Sequence, residues 1–311
     1  MPPLIYPKQR YQCIQCGKSC GHWRIWVEPD LVESLREHPL ALRPQVAGQS
    51  YLMEEPDGWN RLGYDAQGRC FFLEEDKRCG LHSSTGWLSK PRACRQFPFF
   101  LAETPDGIQV GLSFRCSAVQ QDQGLEWAAH EADLHSLVES GNYPRLGFEP
   151  VVWGRSWLQW EVYLSWERLW REQLALGHTV ERIFHQHLCQ ELHLGLEQKE
   201  FAQVVERWTF SALQLLRTEP PDLLPAAASS PESVRYFDHV LERKALWSGS
   251  DFLGRMLLVL VGERLLVTVL ANGGSWSSAF DLVEGEWLGH REDLAPVEQG
   301  LARFLLQFCS P

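Results

Sequence analysis

Three thiols fall within eight residues, Cys13-Ile-Gln-Cys16-Gly-Lys-Ser-Cys20, and this run constrains the chain more than any other stretch. Four more follow at Cys70, Cys79, Cys94 and Cys116, so seven of the nine cysteines lie in the first 116 of 311 residues. A buried cysteine is often an ordinary small hydrophobe, but packing alone does not ask for three in eight residues. Thiolates are soft ligands that suit zinc and iron–sulfur clusters. The Cys13-x-x-Cys16 loop can offer two of them to one metal with little backbone strain, Gly17 permits the positive φ that such a loop commonly needs, and Cys20 follows on the next turn.

The number of thiols leaves the metal open. One tetrahedral zinc takes four ligands and one cubane cluster takes four cysteines, so the seven exceed either. Two zinc sites would use eight ligands if a histidine joined, and His82, in Cys-x-x-His spacing from Cys79, and His22, two residues after Cys20, are the candidates. A three-cysteine iron–sulfur cluster would leave one iron open to a small molecule. The CxxCxxxC spacing reverses the CxxxCxxC loop of radical S-adenosylmethionine enzymes, and that mechanism is not adopted.

Composition narrows the setting. A hydrophobic fraction of 44% can bury a sizeable core, and a net charge of −11 argues against nucleic acid or an anionic membrane as partner. Residues 1–10 lack an apolar run of the secretory kind, and the odd cysteine number fits a reducing cytoplasm, where clustered thiols are metal ligands or redox groups rather than disulfides. The longest apolar run, Phe252 to Ala271, is interrupted by Arg255, Glu263 and Arg264, which marks a buried helix rather than a membrane span.

The pattern along the chain predicts an α+β protein: a small, irregular cysteine-rich metal-binding domain on short β-hairpins over residues 1–120, and an all-helical domain over 121–311. A strand is expected over 22–29, then a helix with Asp30 as N-cap. Hairpins are expected between Tyr51 and His82 and around Thr104-Pro-Asp-Gly107, with Cys94 on one helical turn bounded by Pro91 and Pro98. Downstream, helices are expected at 125–140, 153–177, 180–194, 196–217, 233–247 and 252–271, with the proline-rich segment near 218–231 as linker. The tryptophans of 153–170 read as core before cleft, because an aromatic stripe at helical spacing is more often packing. Arg92 and Arg95, flanking Cys94, are candidates to neutralise an anionic metal centre or to make ordinary ion pairs. Cys189 and Cys309 read as structural. The sequence carries no internal repeat, Gly-rich phosphate loop, G-x-S-x-G or HExxH motif.

Four motifs in order, Cys13-x-x-Cys-Gly-x-x-Cys20, Cys70-x-Phe-Leu73, Cys79, and Arg92-x-Cys94-Arg-x-Phe-Pro98, resemble the CxxCxxxCC cysteine-cluster family of zinc- or iron-chelating domains, which includes flagellin lysine N-methylase-like proteins. The resemblance covers roughly residues 11–118. It implies that Cys13, Cys16, Cys20, Cys70, Cys79, Cys94 and Cys116 are the metal ligands. Ser19 stands where the family usually has the first cysteine of its CC pair, and residues 83–91 form a longer loop before Cys94 than is usual. The segment around Tyr236-Phe-Asp-His239 is similar to the C-terminal part of the methylase-like members.

Two functions follow. One is a cytoplasmic bacterial enzyme with a [4Fe–4S] centre, a protein lysine methyltransferase using S-adenosylmethionine; the methylase and the bacterial setting come from the resemblance alone. The other is a non-enzymatic module in which zinc stabilises the loop-rich domain and the helical domain binds a protein partner. No catalytic base or substrate is legible, and neither nucleic acid nor membrane is expected as a partner.

Overall fold

The computed structural model describes residues 2–21, 23–41, 50–141, 143, 151–216, 230–247, 251–288 and 295–308. The chain divides into two units: a cysteine unit of Gln9–Phe100 with Cys116–Asn142, and a helical unit of Met1–Lys8, Leu101–Arg115 and Tyr143–Pro311. The mixed α+β class expected from the sequence is what the structure shows.

In the helical unit, β1 (Leu4–Ile5) runs parallel to β6 (Gly107–Leu112), with Leu4 opposite Ile108. A hairpin joins β5 (Phe99–Thr104) to β6 as the Thr104-Pro-Asp-Gly107 turn predicts, giving the sheet order β1-β6-β5.

The cysteine unit is built from very short elements. A second sheet has the order β2-β4-β3, from β2 (Trp26–Val27), β3 (Leu52–Glu54) and β4 (Asn60–Leu62). Between β2 and β3 lies α1 (Pro29–Arg36), and after β4 come α2 (Gly80–Thr85) and α3 (Arg92–Gln96). Beyond the β5–β6 hairpin, the chain returns to this unit with α4 (Ser117–Gln121) and α5 (Glu131–Glu139). Helix α1 is not capped by Asp30 as expected: Glu28 holds the N-cap position, Pro29 takes the first helical position, where its missing N–H costs nothing, and Asp30 falls in the first turn. Residues 69–73, expected as a strand, pair only through the isolated bridges Tyr64↔Cys70 and Leu73↔Cys79. The 83–91 segment, expected as a loop, carries the second half of α2 and a 3₁₀ turn at Trp87–Ser89.

The rest of the helical unit opens on a hairpin of β7 (Val151–Trp153) and β8 (Ser156–Leu158), where a helix from Trp153 was expected. Gly154, with φ 58°, supplies the left-handed residue that a two-residue hairpin turn favours, so the helical pattern is postponed. Helix α6 (Trp160–Ala175) then starts seven residues late. Next come α7 (Val180–Glu191), α8 (Gln198–Leu215) and α9 (Pro231–Glu242). The linker expected near 218–231 lies almost entirely outside the described residues.

Helix α10 (Phe252–Ala271) matches its expected bounds and is the centre of this unit. It is buried on all sides, including Glu263 and Arg264. A helix apolar nearly all round belongs inside a core, and its three charges are satisfied: Arg255 pairs with Glu298 at 2.8 Å, Arg264 pairs with Glu181 at 2.5 Å, and Glu263 accepts the Val180 and Glu181 N–H groups at 3.0 and 2.9 Å. No helix among the described residues is long and apolar enough to cross a membrane. The chain ends with α11 (Trp276–Phe280), a π-helical stretch (Asp281–Leu288) and α12 (Ala295–Phe308). Trp160 and Trp170 of α6 are buried among Tyr163, Trp247 and Phe252, and Trp153 is buried too, so these positions of the tryptophan stripe are core, whereas Trp157 is exposed.

Candidate metal centre

Each thiol is set by a local backbone device. Gly17 takes φ 72° and leads into a 3₁₀ turn, Lys18–Cys20, in which the Cys20 N–H returns to the Gly17 carbonyl at 3.0 Å. This is the positive φ that the Cys-x-x-Cys-Gly sequence predicts. The turned chain is then stitched to the next motif, because the Cys70 N–H donates to the Cys20 carbonyl at 2.8 Å.

From Cys70 a tight reversal reaches Cys79. Leu73 and Cys79 form a bridge, the Gly80 N–H donates to the Phe72 carbonyl at 2.7 Å, and Lys77 (φ 65°) turns the tip. Cys79 is the N-cap residue of α2. Cys94 sits inside α3, whose first N–H, that of Arg92, donates to the Glu28 carboxylate at 3.0 Å. An acid 64 residues upstream thus caps the helical turn that presents Cys94. Cys116 is the N-cap residue of α4, where the Val119 and Ala118 N–H groups favour its charged form.

The sulfurs fall into two electrostatic groups. Cys20, Cys70, Cys79 and Cys94 lie in one another's fields. Cys13, Cys16 and Cys116 form the other, together with the Tyr11 hydroxyl, whose pKa is raised by burial and then by Cys116 and Cys13. Cys20 also feels Cys13 and Cys16, so it stands at the junction. All eight described cysteines are free thiols. Among the described residues, no group of three or more Cys, His, Asp or Glu side chains is placed to hold a metal ion.

Burial sets the thiol acidities. It pushes Cys20 up to about 11, with the charge of Cys79 adding to it and the Lys90 ammonium opposing it. It pushes Cys70 up to about 12, although the Phe72 N–H pulls the other way. Cys94 is raised further, by burial first and Cys70 second, again against Lys90. Cys116 is raised by burial, and the Val119 and Ala118 N–H groups oppose the rise. Tyr64, whose hydroxyl donates to the Trp23 carbonyl, is raised by burial and then by Cys70 and Cys94. These buried thiols hold their protons at neutral pH, and a metal would have to displace them. The donor set fits such an ion: soft sulfurs in each group, backbone N–H groups on Cys70 and Cys116, and one ammonium facing Cys20 and Cys94.

The candidates beside the cysteines are distributed differently. His82 is exposed on α2, and its pKa is lowered by burial and then by Lys90. His22 and Cys309 lie outside the described residues. Arg95 places its guanidinium 5.4 Å from the Trp87 ring centre, and Arg92 faces Glu28. The cation near the four thiols is Lys90, which the sequence shows only as the residue before Pro91. Tyr11, two residues before Cys13, was likewise given no role by spacing. Cys189, in α7, sits 3.5 Å from His185 Nε2 in the helical unit, away from the cysteine groups in sequence and partners.

Residues 12–128 match the family model CxxCxxCC, described as "Putative zinc- or iron-chelating domain". No curated protein and no solved structure matches the chain.

Proposed function

We propose that the cysteine unit is a zinc-stabilised binding module in which Cys20, Cys70, Cys79 and Cys94 hold a structural metal. One observation carries this reading: Cys70, Cys79 and Cys94 pack directly against the unit's hydrophobic core, which is formed by Ile25, Val27, Leu35, Leu62, Phe72 and Leu81. A metal there sits where packing is made, so it would join the short elements to one another. Strands of two or three residues do not hold themselves together, whereas structural zinc contributes on the order of 10 kcal/mol to such folds. The buried thiols yield protons reluctantly, which suits a centre assembled once with the fold.

This reading assigns the chain to the reducing cytoplasm and gives the helical unit a protein partner. Val162, Leu169 and Leu176 recur every seven residues along and just past α6 and are 41%, 45% and 71% exposed, which supports a partner presenting a helix there. The methyltransferase reading, with a [4Fe–4S] cluster and S-adenosylmethionine, rests on the family resemblance.

The test is elemental analysis and an absorption spectrum of the full chain purified without oxygen, for the parent and for Cys94→Ala. A colourless parent that carries zinc, and a variant that loses zinc together with protease resistance in the cysteine unit, is the expected result. A brown parent carrying iron and sulfide would replace the zinc module with the iron–sulfur reading. Zinc content and protease resistance unchanged in Cys94→Ala would contradict this ligand set.

A further inference from the structure

We propose that His239 is a proton-operated latch on the end of β6: as neutral imidazole it closes over Leu112 in the helical unit, and as imidazolium it releases that strand end. The latch belongs to the helical unit alone and does not rest on the zinc reading above.

On its β1 side, β6 has a strand partner only at Ile108 and Gln109. At Leu112, its last residue, a side chain of α9 takes that place: the Leu112 N–H donates to His239 Nε2 at 2.8 Å, and both residues are buried. Close packing fixes the pair. A Cβ at Gly111 would stand 2.6 Å from the Cβ of Arg243, the C-cap residue of α9, and the Phe114 ring centre lies 5.4 Å from the imidazole. The segment that follows is held by charge. Arg243 Nη1 donates to the Leu112 carbonyl at 3.4 Å and to Glu284 Oε1 at 2.9 Å. Glu284 Oε2 accepts the Ser113 hydroxyl at 2.8 Å and the Arg115 N–H at 3.3 Å. Residues 112–115 lead directly to Cys116, so the latch closes where the chain leaves the helical unit.

The short contact fixes the tautomer. An N–H donor at 2.8 Å needs a lone pair on Nε2, so the neutral imidazole carries its proton on Nδ1. Nδ1 faces Glu242 Oε2 at 3.8 Å, too far for a hydrogen bond, and is buried without such a partner. A second proton, taken from solvent, must go to Nε2, and the Leu112 N–H then loses its acceptor. The new N–H can turn to the Leu112 carbonyl, 3.0 Å away, but Arg243 already bonds that oxygen, so two cations meet at one carbonyl. The charged groups around the ring pull both ways. Glu242 and Asp238 of α9 favour imidazolium, but Arg171 of α6 holds them, with Nη2 at 3.1 and 2.9 Å. Arg243 opposes it and shares Glu284 of the π-helical stretch, while Arg235, also on α9, lies 5.8 Å from the Phe114 ring centre. Lys244 and Glu167 of α6 pair with each other at 2.5 Å, and β6 carries no titratable side chain. Histidine ordinarily changes charge between about pH 5 and 8, so such a latch works near neutrality.

The experiment is ¹⁵N NMR with amide exchange on the full chain over a range of pH. At about pH 8, His239 should show a bare Nε2 and a protonated Nδ1. As pH falls to about 5, Nε2 should take a proton and the protection factor of the Leu112 amide should drop at least about tenfold. In His239→Gln the side-chain oxygen accepts an N–H at every pH, so Leu112 protection should stay level. Metal loss in acid would reach parent and variant alike, and the difference between them reports the latch. Glu242→Gln, which removes the carboxylate beside Nδ1, should move the transition to lower pH. A proton on Nε2 at about pH 8, equal profiles in parent and His239→Gln, or a transition that Glu242→Gln leaves in place would each overturn the latch. If His239→Gln does not fold, the parent's Nε2 titration and the Glu242→Gln shift still decide.

Discussion

The two units solve the same problem with different means. The helical unit surrounds one 20-residue apolar helix, α10, and buries its own charges as pairs: Arg264 with Glu181, Lys244 with Glu167, Arg243 with Glu284 and Arg255 with Glu298. These buried charges have counter-charges, and buried Glu263 is held instead by the Val180 and Glu181 N–H groups, which is what makes burial tolerable. One core cluster of the cysteine unit has seven buried residues set among strands of two or three, and Cys70, Cys79 and Cys94 pack against it. One unit is held by the area it takes from water. In the other, the zinc reading proposed above would leave the remaining cohesion to ligand bonds.

The largest expected effect separates them. Stripping metal with a strong chelator should expose the cysteine unit to protease and remove on the order of 10 kcal/mol of its stability, while fragments containing α10 persist. Gel analysis of timed digests, with and without chelator, reads this directly; equal protection of both units would break the contrast.

The converse perturbation is smaller. Leu260 is fully buried in α10, and Leu260→Ala should cost the helical unit about 2–5 kcal/mol through lost contacts and the cavity left behind. A thermal melt should show the loss, and metal per chain should not change. Metal loss in this variant would show that the two units do not stand independently.

The units should also answer pH in opposite directions. Ligation exchanges thiol protons for metal, and Cys20 and Cys70, at about 11 and about 12, hold those protons throughout the neutral range. Apparent metal affinity therefore rises with pH and falls on acidification. Glu263 in the helical unit is pushed up to about 7, by burial before anything else, against the Val180 and Glu181 N–H groups that favour its charge. A carboxyl whose folded pKa is raised contributes most below its unfolded pKa and loses that contribution as pH climbs through the folded value. Relative to Glu263→Gln, the parent helical unit should therefore lose stability between about pH 4.5 and 7, on the order of 2 kcal/mol. Parallel denaturation series at several pH values measure it, and identical slopes for parent and variant would contradict the assignment.

The smallest effect is expected at Ser19. It sits half-buried in the 3₁₀ turn beside Cys20, and a hydroxyl is a poor soft-metal ligand. Ser19→Ala should leave metal per chain unchanged, whereas Cys20→Ala should lower it sharply. Equal losses would mean that the ligand set includes position 19.

The contrast also explains what the sequence revealed. Helix α10 was legible to the residue, because a long apolar run ends at Asn272-Gly-Gly and begins at Asp251, whose side chain caps Gly254 N–H at 2.8 Å. The β5–β6 hairpin was legible from its Pro-Asp-Gly turn, and the Cys94 turn from the prolines that bracket it. Signals of this kind are local. What was missed depends on distance along the chain: Glu28 capping α3, Lys90 facing Cys20 and Cys94, and Tyr11 in the fields of Cys116 and Cys13. The late start of α6 was lost to a single conformational detail, the left-handed Gly154, that periodicity does not register. The seven cysteines could be named from spacing and family resemblance. Their division into two groups meeting at Cys20 could not, because it depends on which loops the backbone stitches together.

Hydrogen–deuterium exchange on the full chain, with zinc and after its removal, tests most directly whether metal holds the cysteine unit. The amides that join its motifs, Cys70 to Cys20 and Gly80 to Phe72, should be protected with zinc and exchange rapidly without it, while those of α10 stay protected in both states. Protection of Cys70 and Gly80 that does not change when zinc is removed would contradict it.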